Sequence, residues 1–183
     1  LKDTLGIHPV TTTSVSRRIL LRIDHDVKPE DVNRILERVF GLVYFSPIVV
    51  TPLNMDHITQ AAVSLFRDKE FDSFAVRAKR SNKQFPFDSE EVNRIVGKAI
   101  QETYHKKVRL KSPDITCFIE ILDKDVYIYN ERKEAWGGLP TGVAGSVLVL
   151  LSGGMDSPVA AYYAMKRGAR CHFLHFHSFP YTE

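Results

Sequence analysis

The sequence predicts an α+β N-terminal part followed by the first β-α-β of an α/β domain built on a parallel sheet. Three observations predict it. Through residues 17–130, apolar residues recur at helical spacing in some segments and alternate with period two in others. The apolar run 147–151 (VLVLL) leads directly into Ser152-Gly153-Gly154-Met155-Asp156-Ser157, and a helix-like stretch from Pro158 is closed by Gly168. One further strand-like run follows around Cys171.

Taken in order, residues 17–23 and 42–50 read as strands around a helix at 29–40. Pro29 sits in the first turn, Val32, Ile35, Leu36, Val39 and Phe40 share one face, and Gly41 is the stop. This reads as a βαβ remnant, which would be half of a ferredoxin-like unit if a strand and a helix were missing upstream. Residues 51–54 are a linker and cap, after which Ile58, Ala61, Ala62, Leu65 and Phe66 form the next helical stripe. Residues 71–81 alternate as a strand, with Phe74, Val76 and Ala78 to one side and Arg77 and Lys79 to the other. A helix spans 89–105, opened by Asp88 and Glu91 in the spacing of a capping box. Strands 117–122 and 126–130 make a hairpin around Asp123-Lys124-Asp125. Gly137-Gly138-Leu139-Pro140-Thr141-Gly142 is a turn-rich connector with the composition of a domain boundary. Both ends look cut: the chain opens on Leu1, and two strands with one helix are too few to cover a parallel sheet on both faces.

With 44% hydrophobic and 26% charged residues, the chain has the composition of a folded globular protein and not of a disordered one. It has neither an apolar run long enough to span a bilayer nor a signal-peptide pattern, so no membrane role is expected. Cys117 and Cys171 stand in apolar runs without CxxC spacing and read as reduced core residues of a cytoplasmic protein. The net charge of +3 is unevenly spread: residues 71–111 hold ten basic against five acidic residues. Such a basic island is the footprint expected of a phosphate-backbone partner, and equally of a solvated face.

Strand, glycine turn and helix together point backbone N–H groups and a helix N-terminus at an anion. Nothing here fits GxxxxGK[ST], so the loop is not a Walker A loop. Ser152 and Ser157 offer hydroxyls, and Gly153 and Gly154 let the backbone approach a phosphate without Cβ. A carboxylate beside phosphate repels it unless a cation intervenes, so Asp156 is suited to positioning Mg2+ or a substrate hydroxyl. His175 and His177 alternate onto one strand face, but no carboxylate or cysteine stands beside them to complete a metal site.

Residues 152–157 resemble the SGGxDS loop of the PP-loop ATP pyrophosphatases. The longer run 152–162 (SGGMDSPVAAY), with Lys166, Arg167, Gly168 and the stretch 175–181 (HFHSFPY), is similar to the tRNA 4-thiouridine synthetases, or tRNA sulfurtransferases. Upstream, 74–86 (FAVRAKRSNKQFP) resembles the THUMP domain of that family, and 137–142 (GGLPTG) its junction with the catalytic domain. The resemblance implies a partial N-terminal ferredoxin-like domain at 1–50, a THUMP domain at 51–140 and the start of an incomplete PP-loop domain at 141–183.

The same resemblance implies an ATP-dependent enzyme. It adenylates the uridine at tRNA position eight, after which a persulfide sulfur displaces AMP and leaves 4-thiouridine. Leu151, Ser152, Gly153, Gly154, Met155, Asp156 and Ser157 would bind ATP, with His175, Phe176, His177 and Ser178 meeting the adenine through their backbone. Asp156 would be catalytic, with Mg2+. Arg77, Lys79, Arg80, Asn82, Lys83 and Phe85 would hold the tRNA acceptor end, Phe85 either stacking on a base or sitting in the core. A persulfide donor such as a cysteine desulfurase is the implied partner, and the family implies a homodimer and a link to thiamine synthesis. Its sulfur-carrying cysteines and catalytic lysine lie later than these residues. Two alternatives stand beside this one: a catalytically inert tRNA-binding module, or another PP-loop RNA-modifying enzyme. The THUMP-like stretch counts against the latter.

Overall fold

The computed structural model describes residues 10–15, 18–23 and 27–176. It divides into two compact units, one of residues 46–132 and one that joins 1–45 to 133–183. The fold is α+β, with a short parallel β-α-β at its end.

In the first unit, β4 (Val49–Pro52), β5 (Ser73–Arg80), β6 (Lys107–Val108), β7 (Ile115–Ile121) and β8 (Asp125–Tyr129) form one sheet of order β4-β8-β7-β5-β6. The β7–β8 hairpin is antiparallel as expected, β4 runs antiparallel to β8, and β5 runs parallel to both β7 and β6. Two helices, here α2 (Met55–Ser64) and α3 (Ser89–Tyr104), supply the apolar stripes that bury against it. The α2 cap is Asn54, whose Oδ1 accepts the His57 N–H at 3.0 Å. The predicted capping box opens α3: Asp88 accepts from the Glu90 and Glu91 N–H groups at 2.8 Å, and Glu91 accepts from the Asp88 N–H. Phe66 and Phe74 are fully buried, and Phe66 packs on Phe71, Phe74 and Tyr104 at ring separations of 5.1, 5.9 and 6.2 Å. Replacing such a ring by Ala removes about 3–5 kcal/mol in comparable cores.

The second unit holds β1 (Val10–Val15), β2 (Arg18–Ile23), α1 (Pro29–Leu36), β3 (Tyr44–Phe45), β9 (Lys133–Glu134), β10 (Ser146–Leu151), α4 (Asp156–Lys166) and β11 (Arg170–His175). Here the structure departs from the sequence expectation in three places. β2 pairs antiparallel with β1, and β3 with β9, so among the described residues the two strands flanking α1 share no sheet. The expected βαβ pairing is replaced by a local hairpin, whose first strand (VTTTSV) carries no apolar periodicity but consists mostly of β-branched residues. The helix expected over 29–40 ends at Leu36, because Arg38 and Val39 bond back to Ile35 and Leu36, tightening the last turn before Gly41 at φ +88°. The strand expected over 42–50 breaks around Pro47, whose missing N–H and fixed φ end the ladder, and its halves join different sheets.

β10 and β11 are parallel, from Ser146↔Arg170 to Leu151↔His175, with α4 as the crossover. The connector is bonded along its length within this unit. Leu139 N–H donates to the Lys166 carbonyl (3.0 Å), Gly142 N–H to the Gly168 carbonyl (2.7 Å) and Gly41 N–H to the Gly137 carbonyl (2.8 Å). Phe40, Trp136 and Tyr162 close a triangle of rings 5.3–5.5 Å apart.

Candidate functional site

The loop between β10 and α4 leaves Ser152, Gly153, Gly154, Met155 and Asp156 exposed. Ser157, on the first turn of α4, folds its hydroxyl back: Oγ accepts the Ser152 N–H at 3.2 Å and lies 3.3 Å from Ser152 Oγ. The Gly154 N–H reaches Ser152 Oγ at 3.4 Å. The two serines thus tie the end of the strand to the start of the helix and hold the glycines in between. Neither glycine is demanded by the chain itself. A Cβ at Gly153 would meet nothing within 4 Å, one at Gly154 would meet only Ser152 Oγ at 3.6 Å, and neither has a φ in the left-handed range. What the missing side chains leave open is the approach to the loop's N–H groups at a helix N-terminus.

Asp156 is the first residue of α4 and is exposed. Among the described residues no group of three or more His, Cys, Asp or Glu side chains could hold a metal ion. Leu151, half-buried, ends β10, and its carbonyl lies 2.9 Å from His175 Nδ1 at the end of β11. A carbonyl can only accept, so the His175 proton is on Nδ1 and the ring bridges the two strand ends beside the loop. Phe176 follows, 76% exposed. His177 and Ser178 lie outside the described residues.

The basic residues of the first unit divide by what they touch. Lys79 and Lys83 are exposed. Arg77, on the sheet face away from the helices, donates from Nη2 to the Leu110 carbonyl at 3.3 Å. Arg80 is half-buried and donates to the Phe85 and Phe87 carbonyls at 3.0 and 3.3 Å, so its guanidinium holds the loop between β5 and α3. Asn82 caps a turn of the same loop by accepting the Gln84 N–H at 2.8 Å. Phe85 is only 5% exposed, belongs to the core and packs on Phe87 at 5.8 Å. Of the two roles left open for Phe85, the structure has the ring in the core, while Arg80 bonds its carbonyl.

Sequence reasoning missed a polar and aromatic cluster on the sheet face that α2 and α3 do not cover. Tyr129 donates its hydroxyl to the buried Glu120 at 3.0 Å, Phe118 stacks on Tyr129 at 5.1 Å, and the Arg132 guanidinium lies 4.1 Å from the Phe118 ring centre. Burial pushes the Tyr129 phenol up, the Glu120 charge adds to this and Arg132 opposes it. Only the period-two alternation within the hairpin could have signalled that these residues share a face. Both cysteines are free. Cys117 is fully buried, and burial pushes its thiol up to about 12, which leaves it no nucleophilic thiolate at neutral pH. Cys171 is half-buried, with Sγ 3.7 Å from the Ala161 carbonyl.

With this geometry in place, the relatives can be compared. The family model of the THUMP domain matches residues 53–131, and that of the Thiamine biosynthesis protein (ThiI) matches residues 142–183. A probable tRNA sulfurtransferase of Moorella thermoacetica is 41% identical over 179 residues, covering 97% of this chain and 45% of the relative. One of Methanocaldococcus jannaschii is 43% identical over 165 residues, covering 87% and 43%. Among solved structures, a 4-thiouridine synthetase in complex with RNA and bound ATP superposes with a TM-score of 0.86 at 29% identity, covering 98% of this chain and 46% of that one. PH1313 from Pyrococcus horikoshii follows at 0.84 and 32%, covering 95% and 60%. The chain spans a little under half the length of the curated relatives it matches. The chain thus carries a THUMP-domain match and a ThiI match, and along nearly its whole length it is similar to about half the length of the probable tRNA sulfurtransferases.

Proposed function

We propose that this chain is the RNA-holding and phosphate-gripping part of an enzyme that adenylates the uridine at position eight of tRNA and exchanges its 4-oxygen for sulfur. The observation that supports this most is the exposed glycine pair of the loop. The fold does not require glycine at either position, whereas a bound phosphate does. Ser152, Gly153, Gly154, Met155 and Ser157 hold the phosphates of ATP through N–H and hydroxyl groups. Leu151, His175 and Phe176 border the adenine. Mg2+ suits the site, since it binds through one or two carboxylates together with substrate phosphates and water, and Asp156 is the carboxylate at the loop.

The chemistry follows from the substrate. A uridine carbonyl oxygen leaves poorly. Its attack on the α-phosphorus of ATP releases pyrophosphate and turns that oxygen into part of AMP. The terminal sulfur of a persulfide then bonds to C4 as AMP departs with the oxygen. A second thiol cleaves the remaining S–S bond by forming a disulfide with the carrier's sulfur, which leaves the transferred sulfur on C4. Cys117 does not carry that sulfur, because its thiol stays protonated. The donor is a separate persulfide-forming protein of the cysteine desulfurase type. The THUMP unit presents the tRNA acceptor end, with Arg77, Lys79 and Lys83 on phosphates and Arg80 and Asn82 shaping the loop that bears Lys83. The protein acts in the cytoplasm, and dimerisation would let one copy present tRNA to another.

The test is mass spectrometry of tRNA incubated with the protein, ATP, Mg2+ and a persulfide donor. Adenylated or thiolated tRNA is expected, and Asp156→Ala should abolish both while tRNA affinity stays within about twofold. If neither product forms but tRNA still binds, the chain is an RNA-binding module and the adenylation reading fails.

A further inference from the structure

Residues 106–111, between α3 and β7, contain Lys106, Lys107, Arg109 and Lys111 and no acid; the nearest acid in the segment is Asp114, whose pKa the Arg109 charge helps to lower. β6 places this segment on the outside of the sheet, parallel to the start of β5 through Ser73↔Lys107 and Phe74↔Val108. The Lys107 N–H donates to the Asp72 carbonyl (3.2 Å) and the Arg109 N–H to the Phe74 carbonyl (2.8 Å). Ladder bonds two residues apart keep Lys107 and Arg109 on one side of an extended strand, about 7 Å apart. Lys106 is occupied otherwise, 3.3 Å from Asp72 and over the Phe71 ring. Lys107, Arg109 and Lys111 are exposed, and none of them has an ion pair among the described residues.

Two further features set the segment apart. His105 (φ 54°) and Ser112 (φ 49°), the non-glycine residues with positive φ among the described residues, stand at its two ends. At His105 this backbone is the left-handed cap that ends α3, and together with Ser112 it sets the path of the segment at both ends. In addition, Arg77 donates to the carbonyl of Leu110, in the middle of the strip, and so joins it to the cations of β5.

We infer that Lys107, Arg109 and Lys111 form a second phosphate-contacting strip, continuous through Arg77 with Lys79 and Lys83, along which the backbone of a structured RNA lies. This rests on the RNA-binding reading above and extends its footprint to the sheet edge. Cations that serve only to keep an edge strand from pairing would do so without an RNA ligand, and an acidic protein would use the same charges; both are outcomes of the test.

The experiment is tRNA binding by the full chain across a salt series. The triple variant Lys107→Gln, Arg109→Gln, Lys111→Gln should flatten the slope of log affinity against log salt by about two to three units, since each phosphate contact contributes roughly 0.7–0.9. The charge-keeping triple Lys107→Arg, Arg109→Lys, Lys111→Arg should retain the wild-type slope, as should Lys124→Ala at the tip of the β7–β8 hairpin. If the neutral triple keeps the wild-type slope while Lys79→Gln with Lys83→Gln flattens it, the strip is an edge guard or a protein contact. The inference then falls and the RNA-binding reading stands. If neither set changes the slope, both fall. A loss shared by the charge-keeping triple overturns the electrostatic assignment.

Discussion

A Cβ placed at Gly168 would come within 2.7 Å of Val143 Cγ2 and 3.0 Å of Leu139 Cβ, on a backbone with φ +89°. At Gly153 the same Cβ would meet nothing within 4 Å. One glycine serves the fold and the other serves whatever approaches the loop, so their alanine variants should separate. Gly168→Ala should lower stability by at least about 1–2 kcal/mol in urea denaturation, from the left-handed backbone alone. Gly153→Ala should leave the denaturation midpoint within about 0.5 kcal/mol of wild type, the range of an exposed substitution, yet weaken ATP binding by tenfold or more in calorimetric titration. Unaltered ATP affinity in Gly153→Ala would remove the loop from the phosphate site. Cation identity separates at the same scale. Lys79 and Lys83 are exposed, whereas the Arg80 guanidinium is committed to two carbonyls of its own loop.

Between elements, one carboxylate staples the starts of β5 and β7. Asp114 accepts from the Asp72 N–H (3.0 Å), the Ser73 N–H (2.8 Å) and the Ser73 hydroxyl (2.9 Å). The Ser73 hydroxyl bond first, then the two N–H groups, hold its pKa below the ordinary 3.8, and the Arg109 charge acts in the same direction. A lowered folded pKa makes this contribution complete above the unfolded value and lost as pH falls through the folded one. Asp114→Asn should therefore be less stable than wild type at pH 7, with the difference shrinking below about pH 4, where the unfolded carboxyl protonates. Urea midpoints across the acid range measure this. A gap that stays constant down to pH 2.5 would show that charge has no part in the staple.

For the molecule as a whole, the basic residues around β5 and the glycine loop belong to different compact units. Every residue of the main core cluster, from Ile58 to Ile128, belongs to the unit 46–132. That unit should therefore fold when expressed alone, with a single cooperative thermal transition, and should bind tRNA with the salt slope of the full chain. A broad transition, or binding that needs residues 133–183, would show that the RNA surface depends on the other unit. The glycine loop belongs to the remaining unit, where the connector 137–142 is bonded to the end of α4. Residues 137–142, which resemble a junction between domains, are built by these bonds into the unit that holds the loop.

Much of this was legible because it is local. The capping box at Asp88 and Glu91, the hairpin around residues 123–125 and the strand-loop-helix of 146–166 each depend on residues a few positions apart, and spacing alone reveals them. The residue types of the loop, SGGMDS after an apolar strand, likewise pointed to an exposed strand-to-helix turn with open glycines, which is how the structure folds it. What only the tertiary structure decided are the choices that depend on distant partners. They include β5 lying between β7 and β6, β2 pairing with β1 instead of β3, Phe85 turning into the core and Lys107 reaching the sheet edge. The reason is physical. Periodicity records which face a residue takes on its own element, but burial and strand order are set by contacts between segments tens of residues apart, and the spacing of a sequence carries no record of them.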